Sequence, residues 1–330
     1  MDLTLEKHTQ KQYKEHILCL DIGGTTTQIG IIGLENKTPQ LCYAGHLWSK
    51  DIKNFENLIK QILQYTEKNL QIKIEQIAIA AAGPNQQEKI KIIHLNKTIH
   101  KKPIERIQGI KKVILLNDFE ALGYAINLYK EVKNETKNIA VIGPGTGLGK
   151  AILKHNGTYY EPIAGEGGHS EFPIRNEEEL ELKKYIKGKK QLQYEDLISG
   201  KGIEHIYEYT KLKNKNKETK YTKEIDKTKH KIFLISQYKE QDKTCKETYK
   251  IFTKLYARAV KNYALETLPL GGIYLAGGIT TRNPEIIDKE FFKELENLET
   301  GQEILKGIPI HIMKQKETSL LGAAYALIQK

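Results

Sequence analysis

Cysteine is scarce. The three in 330 residues, Cys19, Cys42 and Cys245, stand far apart with no CxxC spacing, so neither a disulfide framework nor a thiolate zinc cluster is expected. No apolar run approaches the roughly 20 residues that span a bilayer, and the opening MDLTLEKHTQKQYKE is too polar for a signal peptide. A soluble, cytoplasmic protein with no membrane partner follows from these absences. Concentrated charge is missing too. The formal net charge is +11, yet Lys is spread through every segment and interleaved with Glu and Asn. A dispersed charge makes a poor footprint for a phosphate backbone, so no nucleic-acid partner is expected.

What is present is alternation between short β-branched runs, Gly/Thr turns and helical periodicity. HILCLDI (16–22) and QIGIIGL (28–34) flank GGTTT, PQLCYAGHLW (39–48) continues as strand, and FENLIKQILQYTEKNL (55–70) carries apolar residues at three- and four-residue spacing. QIAIAAA (76–82) and KKVILL (111–116) read as strands buried on both faces. The order then returns: NIAVIG (138–143), a Gly/Thr turn, GKAILKH (149–155), GTYYEPIA (157–164) and a polar helix from about 176. Two copies of one unit, each opening on a glycine-rich hairpin, predict a duplicated α/β fold with a cleft between the copies. Residues 202–267 read as helical and basic, with 211–231 a solvated helix and loop or, alternatively, a functional charge patch. GGIYLAGG (271–278) and GIPIHIM (307–313) are further strands, and ETSLLGAAYALIQ (317–329) is a closing helix whose small residues permit tight packing.

The hairpins DIGGTTT (21–27) and GPGTGLG (143–149) are either turns alone or phosphate cradles, since glycine permits positive φ and close backbone approach. Neither common nucleotide motif fits. A Walker loop is excluded by Pro144 in place of its first glycine and by Ala151 after Gly149-Lys150. A Rossmann turn leads into a helix, whereas these lead into strands. LAGGIT (275–280) is a strand–helix connection or a wall for an adenosine. In IAGEGGHSEF (163–172), Glu166 and His169 could bind a metal, carry acid–base chemistry, or exchange hydrogen bonds with sugar hydroxyls; no further His or Cys supports the metal. Glu171 reads as structural.

LDIGGTTTQIGII, LLNDFEALGYAI, VIGPGTGLGKAIL, GEGGHSEF, YEDLISGKGI and GIYLAGGITTR, in this order and spacing, resemble the bacterial-type glucokinase family of the sugar-kinase and actin-like ATPase superfamily, from about residue 16 to the end. The resemblance implies duplicated ribonuclease-H-like domains: an extension at 1–15, a small domain at 16–126 plus 314–330, and a large domain at 127–313 with a helical insertion. It implies Asp118 as catalytic base, Asn117, Asp118, Glu166, His169 and Glu195 as glucose ligands, Asp21, Gly23, Gly24 and Thr25 in the first phosphate loop, Gly145, Thr146 and Gly147 in the second, and Gly277 and Gly278 at the adenosine. ATP would be the donor, with Mg²⁺ carried by it and Asp21 reaching the ion through water. A homodimer is also implied, and closure over the sugar is expected because a water-filled cleft would hydrolyse ATP. Family members commonly read GGTNxR in the first loop, where this chain has Thr26 and Gln28. It also lacks the CxCGxxGC zinc motif of the related repressor-type kinases, so no zinc is expected. Another hexose or amino-sugar kinase, or a non-catalytic sugar sensor, are the alternatives. On local sequence alone Asp118 could equally be an ordinary helix cap.

Overall fold

The strand HILCLDI is apolar almost end to end because both of its faces are covered. The computed structural model describes residues 4–86, 88–92, 95–132, 137–186, 190–213, 218–313 and 317–330. Its strands are β1 (Glu6–Lys7), β2 (His16–Ile22), β3 (Thr26–Glu35), β4 (Thr38–Trp48), β5 (Gln76–Ala81), β6 (Asn85–Gln86), β7 (Lys89–Ile92), β8 (Lys97–His100), β9 (Lys112–Asn117), β10 (Ile139–Pro144), β11 (Leu148–His155), β12 (Tyr160–Gly165), β13 (Ile273–Leu275) and β14 (Ile310–Ile312). The first sheet has the order β1-β4-β3-β2-β5-β9 and the second β12-β11-β10-β13-β14. Dropping β1 leaves the same pattern twice, three meandering strands followed by two more on the side of the first. That is the duplication expected from sequence. By its contacts the chain forms two units, Met1–Thr136 with Leu153–Ala164 and Gln315–Lys330, and Lys137–Ile152 with Gly165–Lys314.

In the first unit β2, β3 and β4 are antiparallel, while β5 and β9 join in parallel beside β2. Alternate residues of β2 enter opposite cores, as the period of a strand requires. Leu18, Leu20 and Ile22 pack with Leu58, Ile59 and Ile62 of the helix Phe55–Leu70. Ile17 and Cys19 pack with Tyr124 and with Leu320 and Ala323 of the helices Asp118–Ala125 and Thr318–Gln329. The first of these helices has the bounds its periodicity predicts. Asn54 caps it through the Asn57 N–H at 2.8 Å, and Gln71 ends it in the left-handed region.

Two features of this unit go beyond the sequence reading. Strands β6, β7 and β8 form a small antiparallel sheet of their own. The N-terminal residues also dock along the first sheet. Glu6 and Lys7 pair with Ala44 and Tyr43, the His8 N–H donates to the Cys42 carbonyl at 2.8 Å, and the Tyr13 ring lies on Gly33 so closely that a Cβ there would sit 2.3 Å from it.

In the second unit β10, β13 and β14 run parallel. Their core is organised by the 25-residue helix Lys243–Thr267, which buries Phe252, Tyr256 and Val260. Two cations are buried on it with their charges met. Arg258 forms a bidentate pair with Glu179 at 2.7 and 3.1 Å, and Lys261 donates to the carbonyls of Glu294 and Asn297. Within the basic stretch 211–231, of which 214–217 lie outside the described residues, the helix Lys220–Lys227 buries Thr222 and Ile225 and exposes Lys220, Lys223 and Lys227. That is a surface helix with one apolar stripe.

Candidate active site

The first glycine hairpin connects β2 to β3 and is braced from behind. The Gly23 N–H donates to the Thr26 carbonyl at 3.0 Å, the Ser49 hydroxyl to the Gly23 carbonyl at 2.7 Å, and the Ser49 N–H to the Thr25 carbonyl at 3.0 Å. Thr25 is exposed at the tip. Positive φ, one of the two reasons expected for these glycines, is found at none of Gly23, Gly24, Gly145 and Gly147. Close approach is the reason that holds in the second hairpin. Asp21, half-buried at the end of β2, accepts a short hydrogen bond from Ser319 on the closing helix. Burial pushes its carboxyl above the ordinary carboxylate range and the Ser319 hydroxyl partly offsets this.

At the end of β9 the cap of the helix Asp118–Ala125 is Asn117, not Asp118. The Asn117 Oδ1 accepts from the N–H groups of Phe119 and Glu120 at 2.9 and 3.3 Å, and the Asn117 N–H donates to the Glu120 carboxylate at 3.3 Å, closing a capping box. Its Nδ2 donates to the Gly83 carbonyl at 3.1 Å, and Asn117 is 8% exposed. Asp118 is therefore the first helical residue, half-buried, with an oxygen 3.0 Å from the Phe119 N–H. The helix dipole there favours an ionised carboxylate.

In the second unit the sequence-predicted polar residues do converge. His169, at the end of the short 3-10 turn Gly167–His169, has Nδ1 3.3 Å from Glu195 Oε1 and 3.4 Å from Gln193 Oε1, with Nε2 3.8 Å from Glu166 Oε2. Two carboxylates thus flank one imidazole, although Glu195 is 26 positions beyond His169 in sequence. Backbone bonds hold the segments together: the Phe172 N–H donates to the Leu192 carbonyl at 2.6 Å and the Tyr194 N–H to the Ser170 carbonyl at 3.0 Å. Glu171 forms a backbone bridge to Gln193.

The second hairpin joins this cluster. A Cβ on Gly147 would lie 2.7 Å from Glu195 Oε2, and one on Gly168 would lie 2.1 Å from the Leu148 carbonyl. The Gly145 carbonyl accepts from the Gly200 N–H at 2.9 Å, at the start of the helix Gly200–Lys213, while nothing lies within 4 Å of the place a Gly145 Cβ would take. An anion can approach the backbone there. On its other side the hairpin meets the turn after β13. Gly277, at φ 82°, is so close that a Cβ would sit 2.4 Å from the Pro144 carbonyl, and a Cβ on Gly143 would sit 2.4 Å from Ala276. A Cβ on Gly278 would lie 2.7 Å from the Arg282 guanidinium. Thr146 stands at the tip of the hairpin. Sequence reasoning missed Ser49, Ser319, Gly83 and Gln193, which support these groups; only Gly83, in the Gly-Pro step after a small-residue strand, carried a local signal. Among the described residues no three His, Cys, Asp or Glu side chains converge as a metal site.

Comparison with known proteins finds relatives over nearly the whole chain. The sequence model of the Glucokinase family matches residues 18–330. The glucokinase of Trichormus variabilis is 30% identical over 335 residues, covering 93% of this chain and 97% of its own. Two solved structures share the fold: glucokinase from Balamuthia mandrillaris in complex with glucose, at 17% identity and TM-score 0.80 over 95% of this chain and 93% of that one, and a ROK family glucokinase from Streptomyces griseus in complex with glucose and AMPPNP, at 16% identity and TM-score 0.70 over 96% and 100%.

Proposed function

The chain belongs to the glucokinase family, and on that premise we propose how its residues transfer the γ-phosphoryl group of ATP to the 6-hydroxyl of D-glucose, giving glucose 6-phosphate and ADP. The observation that carries the sugar site is the convergence of Glu166 and Glu195 on His169. Vicinal hydroxyls each offer a donor, and two carboxylates about one imidazole supply matching acceptors. With Nδ1 facing two acceptor oxygens, the proton belongs on Nδ1, which leaves Nε2 to accept from a hydroxyl. Asn117 uses one amide hydrogen on Gly83, and its carboxamide carries a second for a sugar oxygen.

Asp118 is the proton acceptor. As the 6-oxygen forms its bond to phosphorus and the bridging bond to ADP breaks, the hydroxyl proton passes to the Asp118 carboxylate. The hairpins at Gly23–Thr25 and Gly145–Gly147 offer backbone approaches to the phosphates, and Gly277 and Gly278 a surface for the adenosine. Asp21, at the end of β2 where the first phosphate hairpin begins, would reach a magnesium ion through water. The ion, when bound with ATP, offsets charge on the β- and γ-oxygens. The division into a small domain, 16–126 with 314–330, and a large one, 127–313, a homodimeric state, and a cytoplasmic location in keeping with three free, buried thiols belong to the same reading.

A coupled ADP-release assay over a panel of hexoses and phosphoryl donors tests it: glucose with ATP should give the highest kcat/KM. The Asp118→Ala enzyme should turn over at least about a hundredfold more slowly. Near-normal turnover would remove Asp118 from the base role, and preference for an amino sugar would reassign the substrate within the same chemistry.

A further inference from the structure

Lys150 follows the second glycine hairpin on β11, and the mechanism gives it no part. It is 4% exposed, yet its ammonium lies 4.3 Å from the centroid of the Tyr194 ring and 5.2 Å from that of Tyr263. Its aliphatic stem runs under the loop that carries Glu166 and His169, so closely that a Cβ on Gly167 would sit 2.9 Å from Lys150 Cδ. Tyr194 immediately precedes Glu195. It is held in turn by the Asn262 side-chain amide, which donates to its hydroxyl at 2.7 Å, and by the edge-on Phe172 ring at 5.3 Å.

A buried ammonium is costly, and burial pulls the Lys150 pKa down while Glu266 partly restores it. A methionine would fill the same space without that cost. What the charge adds is attraction to two ring faces, which is strongest where water is excluded. One side chain thereby ties together the phosphate hairpin before it, the Gly167 turn above it, the Glu195 turn beside it and the long helix bearing Tyr263.

We propose that Lys150 is a positioning residue that holds Glu166, His169 and Glu195 in one arrangement for the sugar. The inference rests on the assignment of that cluster to glucose. Lys150→Met in the full chain should raise the KM for glucose about tenfold, with kcat and the KM for ATP within about twofold of wild type. Lys150→Arg, which restores the cation, should recover most of the loss. An unchanged glucose KM overturns the inference, and so does a change in kcat and both KM values together, which would mark a merely structural lysine. Should Lys150→Met not fold, Tyr194→Phe, keeping the ring, is expected to retain a near-normal glucose KM and Tyr194→Leu to raise it; equal values would overturn the inference. A wild-type enzyme that phosphorylates no glucose overturns the glucokinase reading and this inference with it, whereas an active wild type with an indifferent Lys150→Met variant overturns the inference alone.

Discussion

Because the Asn117 carboxamide takes the cap, Asp118 enters its helix at the first turn, where the dipole supports the ionised form that a proton acceptor needs. The cap and the proposed base are adjacent residues, and the sequence NDFEAL holds both without saying which is which. Asp21 shows the opposite balance. Its buried carboxyl binds its proton more tightly in the folded than in the unfolded chain, so the stability it contributes is complete below the ordinary carboxylate range and is lost as pH rises through the raised folded value. Asparagine, neutral throughout, escapes that loss. Asp21→Asn should therefore melt higher than wild type at pH 8, on the order of a few °C, with the gap closing toward pH 4. A gap independent of pH, measured by thermal melts across that range, would show that the ionised carboxylate is not the cause.

At the scale of elements, tight crossings place the helix that carries Asp118. The closing helix Thr318–Gln329 meets Asp118–Ala125 at Gly322, where a Cβ would lie 1.9 Å from the Ala121 carbonyl and 2.8 Å from the Ala125 nitrogen. The small residues of SLLGAAYAL do permit the close packing expected of them. Gly322→Ala must push the two helices apart, at about 1–3 kcal/mol or more, and because Asp118 rides on one of them kcat should fall as well. Thermal melts and turnover check both halves, and a variant with wild-type Tm would show that the crossing has slack. Element bounds were legible where periodicity is strong: Phe55–Leu70 forms as expected because its apolar residues at 55, 58, 59 and 62 repeat on one face. Strands β6–β8 were not, because two to four residues of KIKI-type alternation are too short to stand out from a polar stretch.

At the scale of the whole molecule, glucose at about 100 times its Kd should stabilise the protein by roughly 2.7 kcal/mol, visible as a rise in Tm that Glu195→Ala largely abolishes. A glucose-independent Tm would argue against a sugar site. Light scattering should give about twice the 37.8 kDa chain mass if the dimer forms, and a monomer mass would remove that part of the reading. The sequence by itself determined the repeated strand–hairpin–strand pattern, the helices with strong periodicity and the identity of the glycine, carboxylate and histidine motifs, because these are local: a strand's period, a helix's face and a turn's residue types are complete within a few positions. Tertiary structure alone decided which distant groups stand beside them. It set Ser319 on Asp21, 298 positions away, laid the N-terminal residues along β4, brought Glu195 to His169 and buried Lys150 between two tyrosine rings. Such partners are chosen by packing, where desolvation and close approach select one arrangement among many that the local pattern allows equally.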